Sequence, residues 1–161
     1  MNSSNESTEN LASADNSVLA GRWARLLASL IDALTMIPFS IALLYFTGGF
    51  ATISEGKVLS YAYALTISLI SIAIFFAIHG KFIIRDGQTL GKKALNIKIV
   101  KIDGQHADIT TLAKRYGFYW LNPQIPVIGP LVNLVNLLFI FTSSKRCLHD
   151  HVGGTKVIFA D

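Results

Sequence analysis

The stretch LLASLIDALTMIPFSIALLYF, residues 26–46, decides the fold. Its one charge is Asp32, and Arg25 stands directly before it. At about 1.5 Å of rise per residue, a helix of about 20 apolar residues covers a hydrocarbon core about 30 Å thick. Pro38 does not defeat that reading, because neighbouring groups in a membrane bundle recover the carbonyl that proline frees; a kink near Pro38 is expected. A second apolar run follows from Ser60 to His79, extending towards Ile84, with no charge until Lys81. The two runs are joined by TGGFATISEGKVL, residues 47–59, a short connection punctuated by Gly48, Gly49 and Gly56.

Composition agrees. The chain has 161 residues, enough for one domain, and is 52% hydrophobic but only 15% charged; its mean hydropathy is +0.48. A soluble domain carries about 25% charged residues. The apolar residues gather in blocks around 26–46, 60–84 and 117–142, with the charges between them. The single Cys147 excludes an internal disulfide. Residues 1–20 are polar and rich in Ser and Asn, without the basic start or apolar stretch of a signal peptide, and read as a disordered cytoplasmic tail. The rest, 21–161, reads as one membrane domain.

Charge placement sets the topology. Arg22 and Arg25 precede the first span; Lys81, Arg85, Lys92, Lys93, Lys98, Lys101, Lys114 and Arg115 follow the second; Lys145, Arg146 and Lys156 follow the third block. Only Lys57 lies in the 47–59 connection. The positive-inside rule therefore places the N-terminus and residues 80–115 in the cytoplasm. Such placement also explains the net charge of +4 without nucleic acid, for which no motif is present.

Between the second and third blocks, Leu95–Ile99 alternates apolar and polar with the period of a strand, and Asp103-Gly104 is a turn signal; a helix is the competing reading. Asp108 or Thr110 is placed to cap a helix starting near Thr111. Thr155–Phe159 has strand composition and is expected to pair with, or pack on, Leu95–Val100. The third block, 117–142, contains Pro123, Pro126, Gly129 and Pro130, so one straight helix is excluded. Three full crossings would put Lys145, Arg146 and Lys156 outside, which favours a re-entrant segment or helical hairpin over a third span. The expected fold class is thus a mainly α membrane protein: two transmembrane helices, a Pro/Gly-broken third hydrophobic region, and a small cytoplasmic β-like element.

Asp32 is the one acid within the spans, where it costs on the order of 3 kcal/mol to insert. Arg22, Arg25, Ser29 and Asp32 form one polar stripe at helical spacing, expected to face protein. Asp32 reads equally as a proton or cation site and as a structural anchor. Asn133 and Asn136 offer it amide donors, and Lys81, Arg146 or His79 could reach it from the cytoplasmic end. Asp150, between His149 and His151, lacks the further ligands that a metal site needs. The segment from Gly87 to Lys92 fails as a phosphate loop, having too few residues between its glycines and no Ser or Thr after the lysine; it reads as a tight bend. No nucleophile–base pairing or carboxylate pair argues for an enzyme. No metal and no cofactor are expected.

Three pieces, RLLASLID at 25–32, GQTLGKKALNIKIVKIDG at 87–104 and RCLHDHVGGTKV at 146–157, together resemble the RDD family of membrane proteins. The resemblance runs across most of the chain after residue 20. It puts the family arginine on Arg25, the intramembrane aspartate on Asp32 and the second aspartate on Asp150, while His151 and Gly153 depart from the usual apolar residue and alanine. Members are often suggested to transport unknown ligands, some as sodium/proton antiporters. The resemblance therefore implies an ion-coupled transporter or transporter component in the bacterial inner membrane, in which Arg25 favours the ionised form of Asp32. The alternative is a non-catalytic scaffold or assembly protein. Two or three spans cannot easily enclose a pathway alone, so a homo-oligomer or a partner membrane protein is expected beside the lipid bilayer.

Overall fold

The computed structural model describes residues 18–142 and 146–160. The tail expected over 1–20 lies, for residues 1–17, outside the described residues. Its last three residues are already part of the fold: Ala20 N–H donates to Val157 O at 2.9 Å, and Leu19 bridges Ile158.

Helix α1 runs Arg22–Phe46 and passes through Pro38; a short α2, Gly49–Ser54, leads to α3, Tyr61–Asp86. Both long helices are apolar and long enough to cross a bilayer. Only 11% and 17% of their most apolar windows is buried in the protein. In a soluble protein such helices would be core; here Leu27, Leu30 and Leu34 point outward while Arg25, Ala28 and Asp32 face in. A helix that turns its polar stripe inward and its leucines outward is built for lipid.

Gly87 closes α3 with a left-handed φ of 67°, and α4, Leu90–Ala94, follows under a Thr89 cap. The strand expected near Leu95–Ile99 forms as β1, Ile97–Lys101, and pairs antiparallel with β2, Thr155–Phe159, with Ile99 opposite Val157. Ile97, Ile99 and Val157 fill the small core beneath the sheet. Asp108 caps α5, Ile109–Leu121, by accepting from Thr111 N–H at 2.8 Å. Lys101 and that N–H together hold the Asp108 carboxyl well below its ordinary range.

The 117–142 block is broken as its prolines demand. After α5 come a 3₁₀ turn, Asn122–Gln124, and Val127, a β-branched residue at φ 65°, before α6, Ile128–Leu138, and a second 3₁₀ turn, Phe139–Phe141. At the turn Gln124 reaches α3, donating to Ser68 Oγ at 2.6 Å and accepting at its backbone carbonyl from Tyr61 Oη at 2.9 Å. At the other end, Arg115 of α5 and Asn136 of α6 both bond to α7, Leu148–Gly153. Out along α3 and back to the same end, the chain makes a helical hairpin.

Among the described residues, every Lys and Arg except Lys57 lies on α1's first turn, the last turns of α3, or the α4–β1–α5–α7–β2 cap. Hence one end of the helices carries nearly all the positive charge.

Gly91 is where α4 touches α1. A Cβ there would run into the carbonyl oxygen of Ala28 and stand 2.9 Å from Asp32 Oδ1. Gly117, inside α5, has nothing within 4 Å of such a carbon. Gly91→Ala is therefore expected to cost about 1–3 kcal/mol through forced separation of the helices. Gly117→Ala should be neutral or stabilising, since alanine favours a helix by about 1 kcal/mol over glycine. Thermal unfolding of the two variants in detergent checks the contrast; equal midpoints would show that the α1–α4 contact is not tight.

Candidate functional site

Two carboxylates are buried at the basic end of the helices, Asp150 within the cap and Asp32 on α1, and their surroundings differ. Asp150 sits in the first turn of α7 and is fully buried. Its Oδ1 accepts from Arg115 and its Oδ2 from Arg25, and both contacts are salt bridges. Oδ2 also accepts Cys147 N–H at 2.9 Å, so the side chain caps its own helix, and Thr155 Oγ1 lies 3.2 Å from Oδ1. Arg146 completes the group by donating to the backbone carbonyls of Asp150 and Thr155 at 3.2 and 2.9 Å. The close seat of α7 on α5 needs Gly153, where a Cβ would meet Arg115 Cβ at 2.8 Å.

Asp32 lies two turns along α1 from Arg25. Arg25 sends its guanidinium to Asp150, on the cap side, in a salt bridge. What holds Asp32 is α4: Oδ1 accepts Gly91 N–H at 2.7 Å and Oδ2 accepts Thr89 Oγ1–H at 2.5 Å. His79 Nε2 stands 3.4 Å from Oδ1, and Lys92 Nζ 4.0 Å from Oδ2. Of the cations and histidine expected nearby, only His79 arrives; Lys81 is exposed and Arg146 belongs to Asp150.

The asparagines correct the sequence reading too. Asn136 is buried, but its Oδ1 accepts from His149 N–H at 3.0 Å and Nδ1–H at 2.8 Å, not from any group at Asp32. Asn133 lines the same cavity as Asp32 and is exposed there. Burial, with Arg115, Arg25 and Lys92 nearby, holds the His149 imidazole well below its ordinary range, so it is neutral.

His79 has a defined tautomer. Its Nδ1 lies 3.1 Å from the Phe75 carbonyl, which can only accept, so Nδ1 carries a proton. The ring is fully buried, stacked on Phe75 at 4.5 Å, and Nε2 makes no hydrogen bond.

Asp32 opens on a cavity of about 610 Å³ between α1, α4, α5 and α6. Arg25, Lys92 and Arg115 line it with Asp32, and Met36, Phe75, Trp120 and Leu134 form its apolar wall. Trp120 Nε1, also buried, has no hydrogen-bond partner among the described residues. Cys147, His149 and Asp150 come within 4.8 Å of one another, a spacing that suits a metal ion. Their chemistry does not: Asp150 is committed to two guanidiniums, His149 Nδ1 to Asn136, and the neighbouring cations repel a further one.

The RDD family model matches residues 19–154, a span that holds Arg25, Asp32, Arg115 and Asp150. The chain belongs to the RDD family. With two helices fit to cross a bilayer, it is a membrane protein. It is similar to "Uncharacterized protein YxaI" of Bacillus subtilis (strain 168), 30% identical over 154 residues that cover 87% of this chain and 97% of that one. No solved structure matches it.

Thr89, Gly91 and Arg115, which complete the two carboxylate sites, were not singled out from sequence. Thr89 and Gly91 stood inside the motif that carried the family resemblance. Arg115 had no local signal beyond being arginine beside Lys114.

If Asp150 holds α1, α5 and α7 together, Asp150→Asn should destabilise this RDD protein by about 3 kcal/mol, as expected when one partner of a buried ion pair is removed. Arg115→Gln should cost a similar amount. The double variant should lose clearly less than the two losses combined, since both break one network. Additive losses in detergent unfolding would show the pair to be independent.

Proposed function

We propose that this RDD protein is a proton-coupled transporter, or the membrane component of one, in which Asp32 and His79 exchange the coupling proton. The observation that supports this reading is the His79 Nε2–Asp32 Oδ1 contact at 3.4 Å, with Asp32 facing the 610 Å³ cavity. One proton serves two groups there, and the cavity gives it a route.

Protonation would have a mechanical result. As a carboxylate, Asp32 accepts from Gly91 N–H and Thr89 Oγ1–H, and bonds to an ionised acceptor are about twice as strong as neutral ones. Moving the proton from His79 onto Asp32 weakens both bonds together and loosens α4 from α1. The cavity lies between those helices and the α5–α6 hairpin, so the loosening acts on its wall. Sodium is the poorer coupling ion: both oxygens of Asp32 are already engaged, and the Lys92 ammonium stands beside them.

In this reading the chain is not an enzyme. It sits in the bacterial inner membrane with the N-terminus and the basic cap in the cytoplasm, and the hairpin re-enters from that side. The small number of helices calls for a second copy or a partner membrane protein to complete a pathway. The Asp150 network supports a second reading, a non-catalytic scaffold, because its acceptors are filled and it joins three helices.

The two are separated by Asp32→Asn. An asparagine keeps the shape, an acceptor for Gly91 N–H and a partner for Thr89 Oγ1, but cannot exchange a proton. The variant should fold, with a thermal midpoint somewhat below wild type because both bonds now go to a neutral group, yet lose proton movement in liposomes carrying a pH-sensitive dye. Asp32→Asn chains that fold and move protons as wild type does would end the transport reading; a wild type that moves none would favour the scaffold.

A further inference from the structure

From the charges around the cavity, we infer that its ligand is an amphipathic anion, a carboxylate or phosphate group on an apolar body, held by Lys92 and Arg115 with its apolar part against Phe75, Trp120 and Leu134. This deepens the transport reading and rests on it only in taking the bound anion to be the transported species.

Among the described residues around this cavity, the cations Arg25, Lys92 and Arg115 outnumber the carboxylates Asp32 and Asp150. The histidine that lines it, His149, is neutral. A cluster of buried side chains with an excess positive charge is costly until an anion joins it. Lys92 is the cation least provided for. Only 13% of its side chain is exposed, and its Nζ contacts are long: 3.5 Å to Thr89 Oγ1 and 4.0 Å to Asp32 Oδ2.

One more donor awaits a partner. Trp120 Nε1 is buried without one among the described residues, and Trp120 lines the cavity. Buried donors are normally paired, so an unpaired one in a lined cavity points to an acceptor supplied from elsewhere. Met36, Phe75, Trp120 and Leu134 give the remaining wall a large apolar part, which fits a ligand with a hydrocarbon or aryl body better than a small hydrated ion such as chloride.

Burial, with Arg115 adjacent, lowers the Lys92 ammonium to about 8, opposed by Asp32 and reinforced by Arg25. Cys147, whose thiol burial pushes upward, and His149, whose imidazole burial pushes downward, are further titratable neighbours. Anion affinity should consequently fall as pH rises through about 8, where Lys92 loses its charge. An anion that arrives at that pH brings a proton with it.

The test uses full-length protein in phosphatidylcholine nanodiscs, with Trp23→Phe removing the exposed tryptophan so that Trp120 reports alone. Octanoate at about pH 7 should change Trp120 emission saturably, and octyltrimethylammonium, with the same chain and opposite charge, should not. Lys92→Gln should weaken octanoate binding about tenfold, and Ala33→Phe, which fills the cavity without touching a charge, should abolish it. Both variants are accepted only with wild-type thermal midpoints. Adding phosphatidylglycerol to the discs decides the source: competition with octanoate assigns a lipid headgroup, and its absence a free organic acid. Equal binding of the ammonium, or unchanged octanoate affinity in a folded Lys92→Gln, overturns the inference. No octanoate binding alongside Asp32-dependent proton movement overturns the anion alone; octanoate binding without proton movement keeps the anion and overturns the coupling.

Discussion

A carboxylate with no exposure to water holds its charge only if cations and N–H groups come to it, and Asp150 draws them from across the chain. Arg25 arrives from the first turn of α1, Arg115 from α5, the Cys147 N–H from its own helix, and the Thr155 hydroxyl from β2. Those residues lie 125 and 35 positions away for the two arginines. The demand of one buried charge thereby fixes the positions of a membrane helix, the hairpin's first limb and the sheet. It also explains why the start of α1 and the end of the chain meet, with Leu19 and Ala20 laid along β2.

From this fixed point the second carboxylate is placed by the 87–91 turn. Ile99 N–H donates to Gly87 O at 2.8 Å and Gln88 Nε2 to Ile97 O at 3.0 Å, tying the turn to β1. On its other side Thr89 and Gly91 grip Asp32. A five-residue helix thus joins the sheet, which Asp150 anchors, to the middle of α1. Glycine at 91 is needed because no side-chain carbon fits against the Ala28 carbonyl. The segment that fails as a phosphate loop is a clamp whose backbone N–H groups serve a carboxylate inside the protein.

Much of this was legible in the sequence, for reasons that separate the parts. Spans show because hydrophobic length is a property of consecutive residues, so α1 and α3 were found within a few positions of their ends. The strand at 97–101, its pairing with 155–159, the Asp108 cap and the break at 122–127 follow from local period, capping chemistry and proline. The inward placement of Arg25 and Asp32 followed from helical spacing, whereas Ser29, on the same stripe, is exposed where it lines the cavity. Partners did not follow. Arg25 and Asp32 share a face and a motif two helical turns apart, and nothing local shows that Arg25 reaches a carboxylate 125 residues on. Likewise Asn136, spaced well for Asp32, is taken by His149. Which polar groups meet is decided by how helices distant in sequence pack.

The contrast between the two aspartates is one of supply. A carboxylate offers about four lone-pair positions. Around Asp150 two guanidiniums, an N–H and a hydroxyl fill them, leaving no state of lower energy to visit. Around Asp32 an N–H and a hydroxyl fill two; the others face an imidazole nitrogen with no hydrogen bond and an ammonium held at 4.0 Å. Asp150 sits in the cap and Asp32 on α1 against it, both within one family motif set, and they differ in how completely they are satisfied. A filled site resists change and makes a good anchor. A site left short of partners, beside a cavity, keeps the freedom to take a proton or to answer an arriving charge.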